Sequence, residues 1–203
     1  KPRVIIVGGG FAGLSAAKVL AEYPVQVLLF DRNNYHTFQP LLYQVATGGL
    51  EPGSIAYPIR KMFKHYYNFF FRVADVMSVD PFRKVVVTSI GEFGYDYLVL
   101  AIGTETNYFG MENVQNYSWP MKTINDALNL RNHLLLNLEK AVKISDPKER
   151  EKHLNMVIAG GGPTGVEIAG MLAEMGQHII RKEYPEINNF RGRIYLIDAG
   201  PSL

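Results

Sequence analysis

Short apolar runs alternate with amphipathic segments along the chain, and the same order occurs twice. Residues 4–7 and 25–30 have the length and composition of buried parallel strands, and residues 12–22 between them carry apolar side chains at helical spacing. A second strand, helix and strand are predicted at residues 156–159, from Thr164 onward and at residues 193–197. The pattern therefore predicts two β-α-β units of the kind that holds a mononucleotide.

The segments between the two units predict additional structure. Residues 36–53 are rich in proline and glycine and are expected to be irregular or helical in pieces, and Thr123 with Asp126 predicts the capped start of a helix. The charged residues 146–152 are interpreted as a solvated linker. Three extended runs, separated by Asp80-Pro81 and by residues 91–94, predict an antiparallel meander: residues 69–79, 84–89 and 95–101.

Composition narrows the class of protein. The 203 residues are 47% hydrophobic and 20% charged, as in a soluble globular protein, and the net charge of +2 gives no reason to expect nucleic acid. The absence of cysteine excludes disulfides and thiolate metal sites from this sequence. No metal site is predicted, because His133 and His153 have no partner at ligand spacing.

A glycine-rich turn follows the first strand of each unit. The turns are residues 8–13 (Gly-Gly-Gly-Phe-Ala-Gly) and 160–165 (Gly-Gly-Gly-Pro-Thr-Gly). In such a turn the first glycine permits the bend, the second lets the backbone approach a pyrophosphate, and the third lets helix and strand pack closely. The phosphates then lie at the positive end of the helix. Two such turns predict two dinucleotides, and electron transfer between them is the leading hypothesis.

Each unit ends its second strand in an acid that is expected to bind a ribose. Asp31 has the spacing of the dinucleotide fold, whereas Asp198 lies 33 residues after Gly165, and we interpret residues 181–192 as an insertion. Asp198 favours NADH over NADPH, because it would repel a 2′-phosphate and Ala199-Gly200-Pro201 offers no arginine. Glu167, expected in the first turn of its helix, is interpreted either as a capping acid or as a group facing nicotinamide and flavin.

Four stretches make the chain resemble the type II NADH dehydrogenases, the single-subunit NADH:quinone oxidoreductases among the flavoproteins with two dinucleotide-binding domains. The most specific stretch is RNNYHTFQPLLYQVAT at residues 32–47, because generic relatives share only the glycine turns. The others are GGGFAGL (8–14), YDYLVLAIGT (95–104) and GGGPTGVEIAG (160–170).

The resemblance implies an α/β fold: a Rossmann-like FAD-binding domain with an antiparallel β-meander (residues 1–118), then the start of a Rossmann-like NADH-binding domain (residues 119–203). It implies that Glu167 is catalytic, and that the chain is the N-terminal part of a longer protein. His36 is interpreted as a residue with a structural hydrogen bond rather than a flavin contact. The implied FAD-binding residues are Gly8, Gly10, Phe11, Ala12, Gly13, Asp31, Arg32, Gln44, Ala101, Gly103 and Thr104. The implied NADH-binding residues are Gly160, Gly162, Pro163, Thr164, Gly165 and Asp198.

The activity implied by the resemblance is hydride transfer from NADH to FAD and electron transfer from there to a membrane quinone, without proton pumping. A cytoplasmic location is expected, peripheral on the inner face of the cell membrane, with attachment through a C-terminal region beyond Leu203 and with a homodimer as the assembly. Two alternatives stay open. One is a related reductase that passes electrons to a ferredoxin-type protein, and the other is a sensor that binds FAD and NADH without turnover.

Overall fold

The computed structural model describes residues 1–187 and 192–200. Its strands are β1 (Arg3–Val7), β2 (Gln26–Asp31), β3 (Tyr35–Thr37), β4 (Ala56–Pro58), β5 (Phe69–Val73), β6 (Val76–Asp80), β7 (Val85–Thr88), β8 (Gly91–Gly94), β9 (Tyr97–Leu100), β10 (Met156–Ala159) and β11 (Ile194–Ile197). Its α-helices are α1 (Phe11–Leu20), α2 (Leu42–Ala46), α3 (Ile59–Met62), α4 (Glu112–Tyr117), α5 (Ile124–Lys143), α6 (Pro147–Leu154), α7 (Pro163–Met175) and α8 (Arg181–Glu183). Turns of 3₁₀-helix lie at Gln39–Leu41, Pro52–Ser54 and Pro185–Ile187, and a π-helical turn, Gly176–Ile180, joins α7 to α8.

The chain divides into two compact units. The first combines Lys1–Thr37 with Ala56–Glu105, and the second combines Phe38–Ile55 with Thr106–Leu203. Both β-α-β predictions are confirmed, one in each unit, and the α/β class with them. The predicted domains, 1–118 and 119–203, were defined by the cofactor that each would hold, and that assignment stays a prediction.

A four-stranded parallel sheet in the order β5-β2-β1-β9 forms the centre of the first unit. Side chains of β1 alternate between its faces: Val4 and Ile6 pack with Leu14 and Ala17 of α1, whereas Ile5 and Val7 belong to a second buried cluster with Phe30. Burial of side chains of this size stabilises the fold by roughly 1.5–3 kcal/mol each. Because β1 is covered on both faces, its carboxyl end is held rigidly where the first glycine turn begins.

The predicted antiparallel meander is present, but not all of its strands are the predicted ones. The run at residues 69–79 is divided at Ala74-Asp75 into β5 and β6, and only β6 joins the antiparallel sheet β6-β7-β8. Residues 91–94, predicted as a separator, form its third strand β8, in which Phe93 packs against Phe30. The run at residues 95–101 instead contains β9, which pairs in parallel with β1. This part of the prediction was wrong because strand pairing is decided by distant partners, which alternation along the sequence does not identify.

The second unit is mostly helical around the parallel pair β10-β11. Thr123 and Asp126 form the predicted capping box, in which Asp126 N–H donates to Thr123 Oγ1 at 3.1 Å and Thr123 N–H donates to Asp126 Oδ2 at 2.8 Å. The predicted linker 146–152 is wrong, because this segment enters α6. Asp146 accepts a hydrogen bond from the Lys148 N–H at 3.0 Å and Pro147 occupies the first helical position.

In the part of the chain that the structure describes, every helix is too short or too polar to cross a bilayer.

Candidate functional site: two matching glycine turns

The first glycine turn connects β1 to α1 in a conformation that depends on two of its glycines. Gly8 has φ +105°, and a Cβ atom there would lie 2.2 Å from the Ala101 carbonyl oxygen. A Cβ atom on Gly13 would lie 1.9 Å from the Gly8 carbonyl oxygen. These contacts are far inside van der Waals distance, so α1 approaches the sheet as closely as the predicted third-glycine role requires.

The second glycine turn, between β10 and α7, repeats the positive φ at the first glycine and the close contact at the third. Gly160 has φ +113°, and a Cβ atom on Gly165 would lie 1.9 Å from the Gly160 carbonyl oxygen. The backbone bonds match as well: Gly8 N–H donates to Phe30 O and Gly160 N–H donates to Ile197 O, both at 2.8 Å. The two turns are therefore the same strand-turn-helix motif, present in two different sheets.

Both turns leave the start of a helix open to an anion. Gly10 and Gly162 are the N-cap residues of α1 and α7. Apart from their chain neighbours, no atom of the described residues lies within 4 Å of a Cβ position at either of them. No side chain caps either helix, and neither first turn contains an acid, in contrast to the capped starts of α5 and α6. A pyrophosphate fits this arrangement because it can approach the backbone and meet the positive end of an uncapped helix.

An acid stands beside each turn at the carboxyl end of the neighbouring strand. Gly9 N–H donates to Asp31 Oδ2 and Gly161 N–H donates to Asp198 Oδ2, both at 2.6 Å. The other carboxylate oxygens accept from Asn33 N–H at 2.7 Å and from Gly200 N–H at 2.8 Å. The structure thus brings each predicted ribose-binding acid to its own glycine turn.

Hydrogen bonds from the Gly200 and Gly161 N–H groups hold the pKa of the Asp198 carboxyl below its ordinary value of 3.8. A depressed pKa in the folded state means that this carboxylate contributes stability above about pH 4 and that the contribution is lost as the pH falls through the folded-state value. We expect Asp198→Asn to lower the thermal unfolding midpoint near neutral pH, because an amide offers only one acceptor oxygen to two N–H donors. The difference from the wild-type midpoint should shrink as the pH is lowered from about 5 toward 3.

The control is Glu174→Gln, a change of one exposed acid of α7. A difference between Asp198→Asn and wild type that stays constant over this pH range would contradict the prediction. Midpoints measured by circular dichroism at matched ionic strength are sufficient.

The remaining residues predicted for the first site lie at several places. Phe11 and Ala12 are the exposed first residues of α1, and Ala101 donates its N–H to Val7 O at 2.8 Å beside Gly8. Gly103, with φ +74°, and Thr104 follow in an exposed segment after β9. Two further residues complete this set: Arg32, exposed and 4.0 Å from Asp75, and Gln44, half-buried on α2 of the second compact unit.

Glu167 lies in the second turn of α7, not in the first as predicted. The helix begins at Pro163, one residue before the expected Thr164, so Glu167 is its fifth residue. It stands four residues after Pro163 and three after Thr164, which places its exposed side chain on the same face as those two exposed residues, one turn further along. The capping interpretation is therefore disfavoured, because an acid gains little from the helix dipole beyond the first turn.

Sequence patterns do not show that backbone groups of the first glycine turn bind side chains of the protein. The Gly9 carbonyl accepts a hydrogen bond from His36 Nδ1 at 3.1 Å, which confirms the structural hydrogen bond predicted for this histidine. The signal for this pairing was weak, because His36 comes 27 residues after Gly9 on a different element. Among the described residues no cluster of three His, Asp or Glu side chains could hold a metal ion.

Comparison with known proteins agrees with this geometry. The chain matches the family model described as pyridine nucleotide-disulphide oxidoreductase over residues 2–203. It is 39% identical over 99% of its length to a type II NADH:quinone oxidoreductase of Mycobacterium tuberculosis, of which it spans 44%. It is 34% identical over 98% of its length to an external alternative NAD(P)H-ubiquinone oxidoreductase of Arabidopsis thaliana, of which it spans 36%.

A solved structure of NDH2 from Plasmodium falciparum in complex with NADH superimposes with a TM-score of 0.88 at 30% identity, covering 98% of this chain and 42% of that one. The chain thus spans less than half the length of these relatives. The resemblance to type II NADH dehydrogenases predicted from the four sequence stretches is confirmed. Because the family model matches residues 2–203, the chain belongs to the pyridine nucleotide-disulphide oxidoreductase family.

Proposed function

We propose that the whole protein is an FAD-dependent NADH:quinone oxidoreductase, in which NADH delivers a hydride to the flavin and a quinone takes the electrons, without proton pumping. The single observation that supports this most strongly is the repetition of one dinucleotide-binding device in the two units. A protein that binds one nucleotide needs one such turn. The similarity to NADH:quinone oxidoreductases along the chain supports the same activity.

In the proposed assignment the first unit binds FAD. The open backbone at Gly10 and the N-terminus of α1 would receive the pyrophosphate, and Asp31 would accept hydrogen bonds from the adenosine ribose. Phe11, Ala12, Ala101, Gly103 and Thr104 would line the dinucleotide, with Arg32 near the adenine. When bound, FAD supplies the ring that accepts a hydride and releases electrons.

The second glycine turn binds NADH in the same manner. The open backbone at Gly162, with Pro163 and Thr164 as the first residues of α7, would receive the pyrophosphate. Asp198 would bind the adenosine ribose and would repel the 2′-phosphate of NADPH, because its carboxylate stays ionised at neutral pH. Glu167 would orient the nicotinamide or carry a proton, and residues 1–118 and 119–203 would be the two functional domains.

The proposal extends to location and assembly. The whole protein would work at the inner, cytoplasmic face of the cell membrane, held there peripherally by a C-terminal region, and would form a homodimer. These statements follow from the resemblance to membrane quinone reductases.

Anaerobic spectroscopy of the purified full-length protein tests the activity. We expect a yellow protein whose flavin absorbance is bleached by NADH and restored by a soluble quinone. NADPH should react roughly 10–100-fold more slowly in kcat/KM, because of the like-charge contact with Asp198.

Each alternative function has its own outcome. Recovery with a ferredoxin but not with a quinone would support the ferredoxin-type reductase. Binding of both nucleotides without bleaching would support the sensor. A protein with one nucleotide site, or with none, would refute all three hypotheses.

A further inference from the structure

One difference between the two glycine turns is an imidazole that packs against the first. His36 lies on β3, which pairs with β4, and its Nδ1 is 3.1 Å from the Gly9 carbonyl oxygen. Since a carbonyl oxygen only accepts, Nδ1 carries the proton and donates it. The ring of Phe11 meets the imidazole edge to face, with centroids 4.8 Å apart and planes at 84°. The orientation of the imidazole is therefore set by a strand and by the first residue of α1.

Gly9 is buried, and both of its polar backbone groups are bound by side chains. Its N–H donates to Asp31 Oδ2 at 2.6 Å and its C=O accepts from His36 Nδ1. A Cβ atom on Gly9 would lie 2.7 Å from Ile59 Cδ1 and 3.1 Å from Asp31 Oδ2, so neighbouring side chains pack closely against this residue. The two peptide planes that meet at Gly9 are held from both sides.

The His36 contact also fixes the next peptide group. The Gly9 C=O and the Gly10 N–H belong to one planar peptide unit, and the described residues contain no cis peptide bond, so the two groups point in opposite directions. Gly10 is exposed, and a Cβ atom added to it would meet none of the described residues except its chain neighbours within 4 Å. Holding the carbonyl toward His36 therefore directs the Gly10 N–H away from the imidazole.

We infer that His36 is a positioning residue for the dinucleotide of the first turn: it presents the Gly10 N–H as a preorganised donor to the pyrophosphate. The inference rests on the proposed binding of FAD to this turn. A flexible glycine peptide loses conformational entropy when the ligand binds. A peptide that folding has already ordered does not lose it again, and it therefore binds the ligand more tightly. His36 itself need not touch the ligand.

The second turn provides a control within the same protein. Its Gly161 N–H donates to Asp198 as Gly9 N–H does to Asp31. Within residues 1–187 and 192–200, however, no side chain donates a hydrogen bond to the Gly161 carbonyl. Changes at His36 should therefore alter the ligand of the first turn and leave NADH unaffected.

The test compares two amides at position 36 in full-length protein freed of flavin. His36→Asn places an N–H donor where Nδ1 stands, whereas in His36→Gln the donor is one bond further out. Titration calorimetry with FAD, ADP and adenosine separates the contribution of the phosphates to binding from that of the adenosine part. Adenosine has the same base and ribose but lacks the pyrophosphate. NADH is titrated as the control ligand.

We expect His36→Gln to weaken FAD and ADP about tenfold, the scale of losing one well-oriented hydrogen bond to an anion, while adenosine and NADH change less than twofold. His36→Asn should bind FAD and ADP within about threefold of wild type. Equal losses for ADP and adenosine, or no loss in His36→Gln, would overturn the inference and leave the proposed function standing. A wild-type protein that binds NADH but neither FAD nor ADP would overturn both.

Discussion

Gly165→Ala is expected to abolish NADH binding and to lower the free energy of unfolding by about 2–3 kcal/mol, the cost of severe overpacking. The added methyl group would lie 1.9 Å from the Gly160 carbonyl oxygen, a backbone atom that forms part of the glycine turn itself. Relief requires α7 to move off the sheet, and the open position at Gly162 would move with it. Chemical denaturation and NADH titration of the full-length protein measure the two effects.

Gly170→Ala is the matched control for this prediction. Gly170 lies on the same helix. Outside the nearby backbone of that helix and the neighbouring residues, no atom in the described part of the chain stands within 4 Å of a Cβ position there. The same substitution should stabilise the protein by roughly 0.5–1 kcal/mol through helix propensity and leave NADH affinity unchanged. Similar behaviour of the two variants would show that close packing at the third glycine has no special role.

Glu167→Gln is expected to slow reduction of the flavin by NADH by about a hundredfold, within the range that a positioned acid or base contributes. The exposed carboxylate lies one helical turn beyond the open end of α7, on the face of Pro163 and Thr164. The amide keeps the size of the side chain and removes its charge and its capacity to exchange protons. Stopped-flow absorbance under anaerobic conditions gives the rate directly, and the dissociation constant of NADH should change by less than about threefold.

Glu174→Gln removes another exposed acid from the same helix and should leave the rate unchanged. An unaltered rate in Glu167→Gln would show that this carboxylate has no part in hydride transfer. A loss of NADH affinity with an unaltered rate at saturating NADH would assign it to ground-state binding instead.

Features of this fold that depend on neighbouring residues in the chain could be predicted from the sequence. Both glycine turns, their strands and the Thr123 capping box are decided within a few residues, and all are where the sequence places them. The start of α6 is equally local: Asp146-Pro147 is a helix-start signature. The charged run that follows it resembles a solvated linker in composition, and composition alone does not distinguish a linker from an exposed helix.

Features that depend on contacts between distant residues could not be predicted from sequence patterns. Nothing within residues 95–101 indicates that β9 pairs with β1 rather than with the meander. The same holds for the candidate site. The acids and glycines follow from spacing, whereas the bond between His36 and Gly9 joins residues that only the folded sheet brings together.

The pairing of strands explains why Asp198 occupies its place despite an unusually long connection. Val7 lies opposite Phe30, and Ala159 lies opposite Ile197. Each acid therefore comes directly after the last position that pairs with the first strand of its β-α-β unit. The helical continuation through Gly176–Ile180 and α8 accommodates much of the additional length. Of the proposed insertion at residues 181–192, positions 188–191 lie outside the described residues, as does Pro201 of the segment after Asp198.

A crossover that is anchored at both ends can change in length at little cost, since the entropy of loop closure grows only logarithmically with chain length. Among homologues this connection is therefore where insertions and deletions should accumulate. An alignment that locates the acid by its distance from the glycines will misplace it, whereas one that counts from the strand register will find it. The same tolerance makes the connection a suitable place to insert a reporter peptide without displacing Asp198 from the second glycine turn.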